Sequence, residues 1–222
     1  MAADPSAMSV DEAVRAVRAD SRRRQILKAA AKVMQHTGFH QMSMQALADE
    51  ANVSVGLLYN YFGNKEEILR ATITAILDAF RDQLEPAMAA AGDDPVERLA
   101  AGIRRFVEIV DENLDAVALT YRESRTLDPA GRETLKRLEI ATSAPLRAVL
   151  TEGIDAGVMN PVDVDLIVFD LVLLAHGWSL KHWHFGRIYT LDEYIRSQTR
   201  FVLNTVLPHH HRAHYRHLLE ST

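Results

Sequence analysis

The sequence predicts an all-α protein with a small N-terminal helical head and a larger helical body. Apolar residues recur at three- and four-residue spacing along almost the whole chain, and no alternating run of β-branched residues bounded by turn signals interrupts them. The charge is also divided. Residues 21–65 hold six basic side chains against two acidic ones, whereas residues 66–222 hold seventeen against twenty-four. A net charge of -5 therefore hides a basic head on an acidic body.

The elements follow in order. Residues 1–20 carry Asp4, Asp11 and Glu12 without a long apolar run; they do not form a signal peptide and are expected to be a flexible leader. A first helix is expected from about Ser21 to Gln35, with Ile26, Ala29, Ala30 and Val33 on one face and Thr37-Gly38 ending it. Arg22, Arg23 and Arg24 would stand at its start, where cations oppose the helix dipole unless an anion offsets them. DNA phosphate is such an anion.

From Met42 the helices become very short. Ser43 is a good N-cap for a helix carrying Met44, Leu47 and Ala48, and Ala51-Asn52-Val53-Ser54 forms a tight turn before Val55 to Tyr61. The pattern is helix, turn, helix. Phe62-Gly63-Asn64 breaks the chain, and a long linking helix opens at Lys65-Glu66-Glu67 and runs to about Leu84. Pro95 belongs in the first turn of the next helix, which carries Leu99, Ile103, Phe106, Val107 and Val110. Further helices are expected over 116–126, 130–157 with an irregularity at Pro145, 164–184, and 191–206, the last opened by a capping box of Thr190 with Glu193. The expected organisation is thus a leader over 1–20, a helix-turn-helix domain over 21–66, a helical body over 67–207 and a His-rich tail over 208–222.

Several classes of function are excluded by what the sequence lacks. It has no cysteine, and therefore no disulfide, thiolate metal site or cysteine nucleophile. No nucleophile elbow, phosphate-binding loop or glycine-rich dinucleotide turn is present, so no enzyme and no cofactor are expected. His209, His210, His211, His214 and His217 follow Pro208 outside the expected core and suggest a solvated or loosely helical end, with no metal site. The apolar stretch Leu166 to Leu180 is broken by Asp170 and His176 and is shorter than the roughly 20 residues of a membrane span. A cytoplasmic protein without membrane contact is expected.

The short second helix presents little side-chain bulk at its N-terminal end, where Val55, Gly56 and Asn60 stand, and can enter a major groove. Ser43, Ser54, Tyr59, Tyr61 and Lys65 are donors suited to phosphate oxygens. The run from Ala48 to Phe62, ADEANVSVGLLYNYF, followed by Lys65-Glu66, resembles the hallmark of the TetR family of one-component regulators. The resemblance implies that Tyr59 and Lys65 hold phosphates and that Gln45, Ser54, Val55, Gly56 and Asn60 lie on or beside the groove face. Tyr61 stands where that family often has histidine. It also implies a homodimer on palindromic operator DNA, with the last two long helices of each copy forming a four-helix bundle.

The body offers apolar walls with a few polar groups, as a pocket for a small-molecule effector requires. Phe106, Val110, Leu114, Tyr121, Arg122, Arg125, Trp178 and Lys181 are its candidate residues. Gly177 to Trp183, after Asp163 and Asp165, is similar to the tail of TetR relatives that respond to acyl-CoA thioesters, which implies Arg122, Arg125 and Lys181 for CoA phosphates and Trp178 for the acyl tunnel. Release of a repressor by such an effector is the implied mechanism. Two alternatives stay open: a drug-like or aromatic effector, and a non-sensing DNA-architectural protein whose body is solidly packed.

Overall fold

A computed structural model describes residues 10–220, all of whose long elements are helices. The chain divides into two compact units, Met1–Ala75 and Ile76–Thr222. The division falls inside a helix.

In the first unit, α1 (Val10–Thr37) packs on α2 (Met44–Ala51), which packs on α3 (Val55–Phe62). The first turns of α4 (Lys65–Ala89) complete it. Ile26, Ala30, Met34, Leu47, Ala48 and Leu58 are buried at its core. Ile68 and Leu69 of α4 are buried as well.

The first helix begins at Val10, eleven residues before the expected start, so residues 10–20 are helix and not a flexible leader. Asp11 and Glu12 lie in its first turn, where acids favour the dipole. Arg22, Arg23 and Arg24 consequently stand mid-helix, and the dipole conflict expected of them does not arise. Residues 1–9 of the expected leader lie outside the described residues.

In the second unit α5 (Pro95–Glu112) is the central helix. Asp94 caps it through Oδ1, with Pro95 in the first turn, and Val96, Leu99, Ile103, Phe106, Val107 and Val110 are buried along it. It packs against α8 (Ala144–Asp155), α9 (Val164–Leu180) and α11 (Leu191–Val206), while α6 (Leu114–Glu123) packs on α9. A 3-10 turn over Ser124–Thr126 leads to α7 (Pro129–Thr142), which a single residue, Ser143, separates from α8, with Pro145 in the latter's first turn. The helix expected over 164–184 is two. Lys181 leaves the helical region between α9 and α10 (His182–Ile188), with neither glycine nor proline there to mark the break.

Pro86 sits inside α4 and costs it one backbone bond, yet the helix continues past the expected end because Leu84 and Met88 are buried on either side. The tail also departs from expectation. Tyr215, just before α12 (Arg216–Leu219), is 4% exposed. Its hydroxyl donates to Asp94 Oδ2 at 2.8 Å, and His217 Nε2 lies 2.9 Å from Glu97 Oε1. Arg212 Nη2 donates to the Asn204 carbonyl at 2.7 Å near the end of α11. The segment is docked on the second unit, with His209 and His210 exposed.

Candidate nucleic-acid interface and ligand cavity

Two serines define the short helices of the first unit. Ser43 Oγ accepts from the Ala46 amide at 3.0 Å and Ser54 Oγ from the Leu57 amide at 3.2 Å, each occupying one of the free donors of a first helical turn. Between them Asn52 adopts φ 50°, the left-handed conformation that a tight inter-helix turn requires and that asparagine tolerates. Gly63 after α3 also has a positive φ, 76°, with ψ -50°, a conformation that glycine adopts without a Cβ penalty.

These caps orient α3. Leu58 and Phe62 point into the core, while Gly56, Tyr59 and Asn60, at three- and four-residue spacing, form its open face. Nothing lies within 4 Å of where a Cβ on Gly56 would stand, and Tyr59 is 51% exposed. Val55 and Tyr61 are half-buried at the flanks, and Gln45 is exposed on α2, its amide donating to Asp49 at 2.8 Å. Lys65 Nζ donates to the His40 carbonyl at 2.9 Å and lies 4.8 Å from the Phe39 ring centroid. Those contacts hold the ammonium beside the segment that leads to Ser43.

The three arginines of α1 separate. Arg22 is exposed and donates to Gln25 at 3.1 Å; Arg24 is exposed and paired with Asp20. Arg23 turns inward. Its guanidinium stands 5.1 Å from the Phe62 ring centroid, with Nη1 buried and lacking a hydrogen-bond partner, so it positions α1 against the end of α3 rather than presenting a charge.

The second unit contains a cavity of about 180 Å³. Ile76, Leu77 and Phe80 of α4, Phe106 of α5, Val117 of α6 and Val172 of α9 make its apolar wall. The rings of Phe80 and Phe106 lie 4.2 Å apart. Tyr121 and His176 supply its polar centre, the phenol oxygen 2.8 Å from His176 Nδ1. Burial lowers the His176 pKa from 6.5 to about 4, so the ring is neutral at pH 7. Burial also raises Glu139, and burial first and then the Glu139 charge raise Tyr121. Every titratable group in this lining is thereby pushed toward its uncharged form.

Of the residues expected at a pocket, Phe106 and Tyr121 line the cavity and six do not. Val110 is fully buried in the α5 core. Leu114 begins α6, and its carbonyl accepts the Ser179 hydroxyl at 2.7 Å. Trp178 is 3% exposed with its indole N–H on Asp111 at 2.7 Å, so it is a packing residue. Arg122 pairs with Glu123 at 3.0 Å; Arg125 is exposed in the 3-10 turn and Lys181 is exposed at the end of α9. His176 and Glu139 were missed. The interruption of an apolar run by His176 was the available signal.

Residues 26–72 match the family model for bacterial regulatory proteins of the tetR family, and residues 92–185 match that of the tetracyclin repressor-like C-terminal domain. The HTH-type transcriptional regulator HbdR of Aromatoleum sp. (strain CIB) is 34% identical over 193 residues, 85% of this chain and 84% of its own length. The chain belongs to the TetR family. It is a DNA-binding transcriptional regulator and not an enzyme. Among solved TetR-like structures, AibR in complex with isovaleryl coenzyme A and operator DNA aligns with a TM-score of 0.68 at 24% identity, covering 81% of this chain and 97% of AibR. FadR of Bacillus subtilis in complex with stearoyl-CoA aligns with a TM-score of 0.66 at 24% identity, covering 82% and 98%. At that identity the two share the fold. In this TetR-family chain no helix among the described residues is long and apolar enough to cross a membrane.

Proposed function

We propose that this regulator is a homodimeric repressor that holds a palindromic operator and releases it when the acyl part of a short-chain acyl-CoA thioester enters the cavity of the second unit. The cavity carries the reading. At about 180 Å³ it is close to the roughly 150 Å³ apolar cavity that accommodates benzene, and so it suits a short branched acyl group or a single ring. Its lining has no lysine or arginine, which assigns the nucleotide phosphates to the outside. Arg122 and Arg125, next in sequence to the lining residues Tyr121 and Ser124, are exposed there and can meet phosphate oxygens bidentately. AibR and FadR, complexed with isovaleryl coenzyme A and stearoyl-CoA, support the choice of thioester.

On the DNA side, Gly56 and Asn60 would face the major groove, with Gln45, Ser54 and Val55 on or beside that face. Tyr59 and Lys65, with Ser43, Tyr61 and Arg22 around them, would hold phosphates at its edges. Phosphate contacts position such a helix, and base edges supply sequence preference. One copy covers too few base pairs for specificity, and a second is required on a two-fold axis. Leu166, Phe169 and Leu173 form an exposed stripe on α9, 58%, 43% and 55% accessible, and Phe201 of α11 is 61% accessible. An apolar patch of that kind needs a cover, and the same patch on a second copy provides it. A regulator acting on chromosomal DNA in this way works in the cytoplasm.

The test is a titration of the protein on its own upstream DNA with and without acyl-CoA thioesters of increasing size. Tight binding released by short thioesters supports the whole reading. Release only by small uncharged ring compounds replaces the effector class, an outcome that the phenylalanine pair and the absence of cations in the lining make the second reading.

A further inference from the structure

We infer that the N-terminal extension of α1 is an additional DNA-backbone contact, made by Arg15 and Arg18 together with Arg22. The inference rests on the DNA-binding reading of the first unit and extends its footprint beyond the helix-turn-helix. Helix α1 runs for 28 residues from Val10, eleven of which precede the helix expected from the sequence. Along it Arg15, Arg18, Arg22 and Gln25 follow at intervals of three and four residues. At 100° per residue they fall within about 80° of arc, a single stripe about 15 Å long.

The lower end of that stripe is fixed to the DNA-reading motif. Gln25 Nε2 donates to the Ala51 carbonyl at 2.9 Å, and Ala51 is the last residue of α2, three before the Ser54 cap of the recognition helix. Two turns further along α1, Lys32 pairs with Glu50 of the same α2 end at 2.7 Å. The flank of α1 that touches the turn before α3 is therefore the flank on which the arginines continue.

All three arginines are exposed. Arg22 donates to Gln25, and neither Arg15 nor Arg18 is held in an ion pair among the described residues, in contrast to Arg24, which Asp20 neutralises on another face. Charge decides the occupant. Cations that form no ion pair among the described residues, on the flank of α1 that meets the turn before α3 in a chain whose net charge is -5, are matched by the phosphates of one strand, which recur about every 3.4 Å of duplex axis. A span of about 10 Å from Arg15 to Arg22 is enough to meet more than one of them. Such contacts add affinity without sequence preference.

The experiment compares the full-length protein with the double variant R15Q/R18Q, which keeps helix propensity and removes both charges, by fluorescence anisotropy on operator DNA between 50 and 300 mM salt. The slope of log K against log [salt] should become shallower by about 1 to 2. Affinity should fall by a similar factor on operator and on unrelated duplex, and R15K/R18K should restore both. Circular dichroism at each salt concentration reports whether the helix is kept. A variant with unchanged slope and affinity overturns the inference while leaving the helix-turn-helix reading intact. A loss seen on the operator alone, or one that the lysine variant does not restore, also overturns it, since a structural or base-reading role is then responsible. Failure of the wild type to bind any duplex would remove the DNA-binding reading and this inference with it.

Discussion

Acid should destabilise the second unit through His176, by an amount that a single substitution can isolate. The ring lies in the cavity lining with Nδ1 2.8 Å from the Tyr121 hydroxyl, and burial lowers its pKa from 6.5 to about 4. Between those two values the unfolded chain takes up a proton that the folded chain refuses, so stability falls as pH falls through the window and levels off below it. The full gap corresponds to about 3 kcal/mol, of which about 2 to 3 kcal/mol is lost by pH 4.5. Glu139 faces the same cavity and is raised by burial. Its contribution runs the other way, since a carboxyl that keeps its proton more tightly when folded gains stability as pH falls. A difference measurement removes that second effect. H176Q keeps a hydrogen-bonding partner for Tyr121 and does not titrate. Wild type and variant are unfolded in urea at pH 7 and pH 4.5 at one fixed protein concentration, because dimerisation makes apparent stability concentration-dependent. Wild type should lose about 2 to 3 kcal/mol relative to H176Q between the two pH values. A stability difference that stays constant to within about 0.5 kcal/mol would refute the assignment of a buried neutral imidazole.

Three further outcomes are expected. S54A removes the side-chain acceptor from the Leu57 amide and should cost about 1 kcal/mol in thermal or urea unfolding; operator affinity should fall with it, and a variant that binds like wild type would show that the cap does not set the pose of α3. L173D places a charge in the exposed stripe of α9, where Leu173 is 55% accessible; sedimentation should report a monomer that no longer retains operator DNA, and a persistent dimer would move the interface elsewhere. Y215F deletes the hydrogen bond to Asp94, worth about 1.5 to 3 kcal/mol for a charged acceptor, and should raise proteolytic cutting near residue 212. Unchanged protection would mean that packing alone holds the tail.

The recognition motif was legible because its signals are local. Ser43 caps in the structure as its position requires, and so does the Thr190 and Glu193 box; Ser54, which the sequence marks as the end of the turn and a phosphate donor, caps α3 as well. Pro145 marked the interruption between α7 and α8 for the same reason. Features that depend on what packs against a residue were not legible. Asp20 lies one turn before Arg24 and pairs with it, yet nothing at Ser21 states whether the helix has already begun. Lys181 ends α9 without a glycine or proline, and periodicity runs straight through it. His176 reads as an interruption of an apolar run, and only its approach to Tyr121, 55 residues away, makes it the polar centre of a cavity. Trp178 reads as a pocket aromatic until Asp111, 67 residues distant, takes its N–H.

The proposed switch must also satisfy an energy requirement. Turning a population from 99:1 bound-competent to 1:99 takes a differential affinity of about 5.5 kcal/mol between the two states, and a ligand that fits both equally shifts nothing. Burying a methylene contributes about 0.8 kcal/mol. A four- or five-carbon acyl group whose cavity is complete only in the released state therefore supplies about 3 to 4 kcal/mol. One such group falls short, whereas two, one in each copy of a dimer, exceed the requirement. The helix that can carry the difference is α4: Ile76, Leu77 and Phe80 line the cavity, and Lys65 opens the same helix about three turns earlier. A ligand that displaces the wall residues acts on the element whose first residue is proposed to hold phosphate. On the proposed reading, small cavity volume and two-fold symmetry are thus linked, since a group small enough to fit would release the operator only when both copies are occupied.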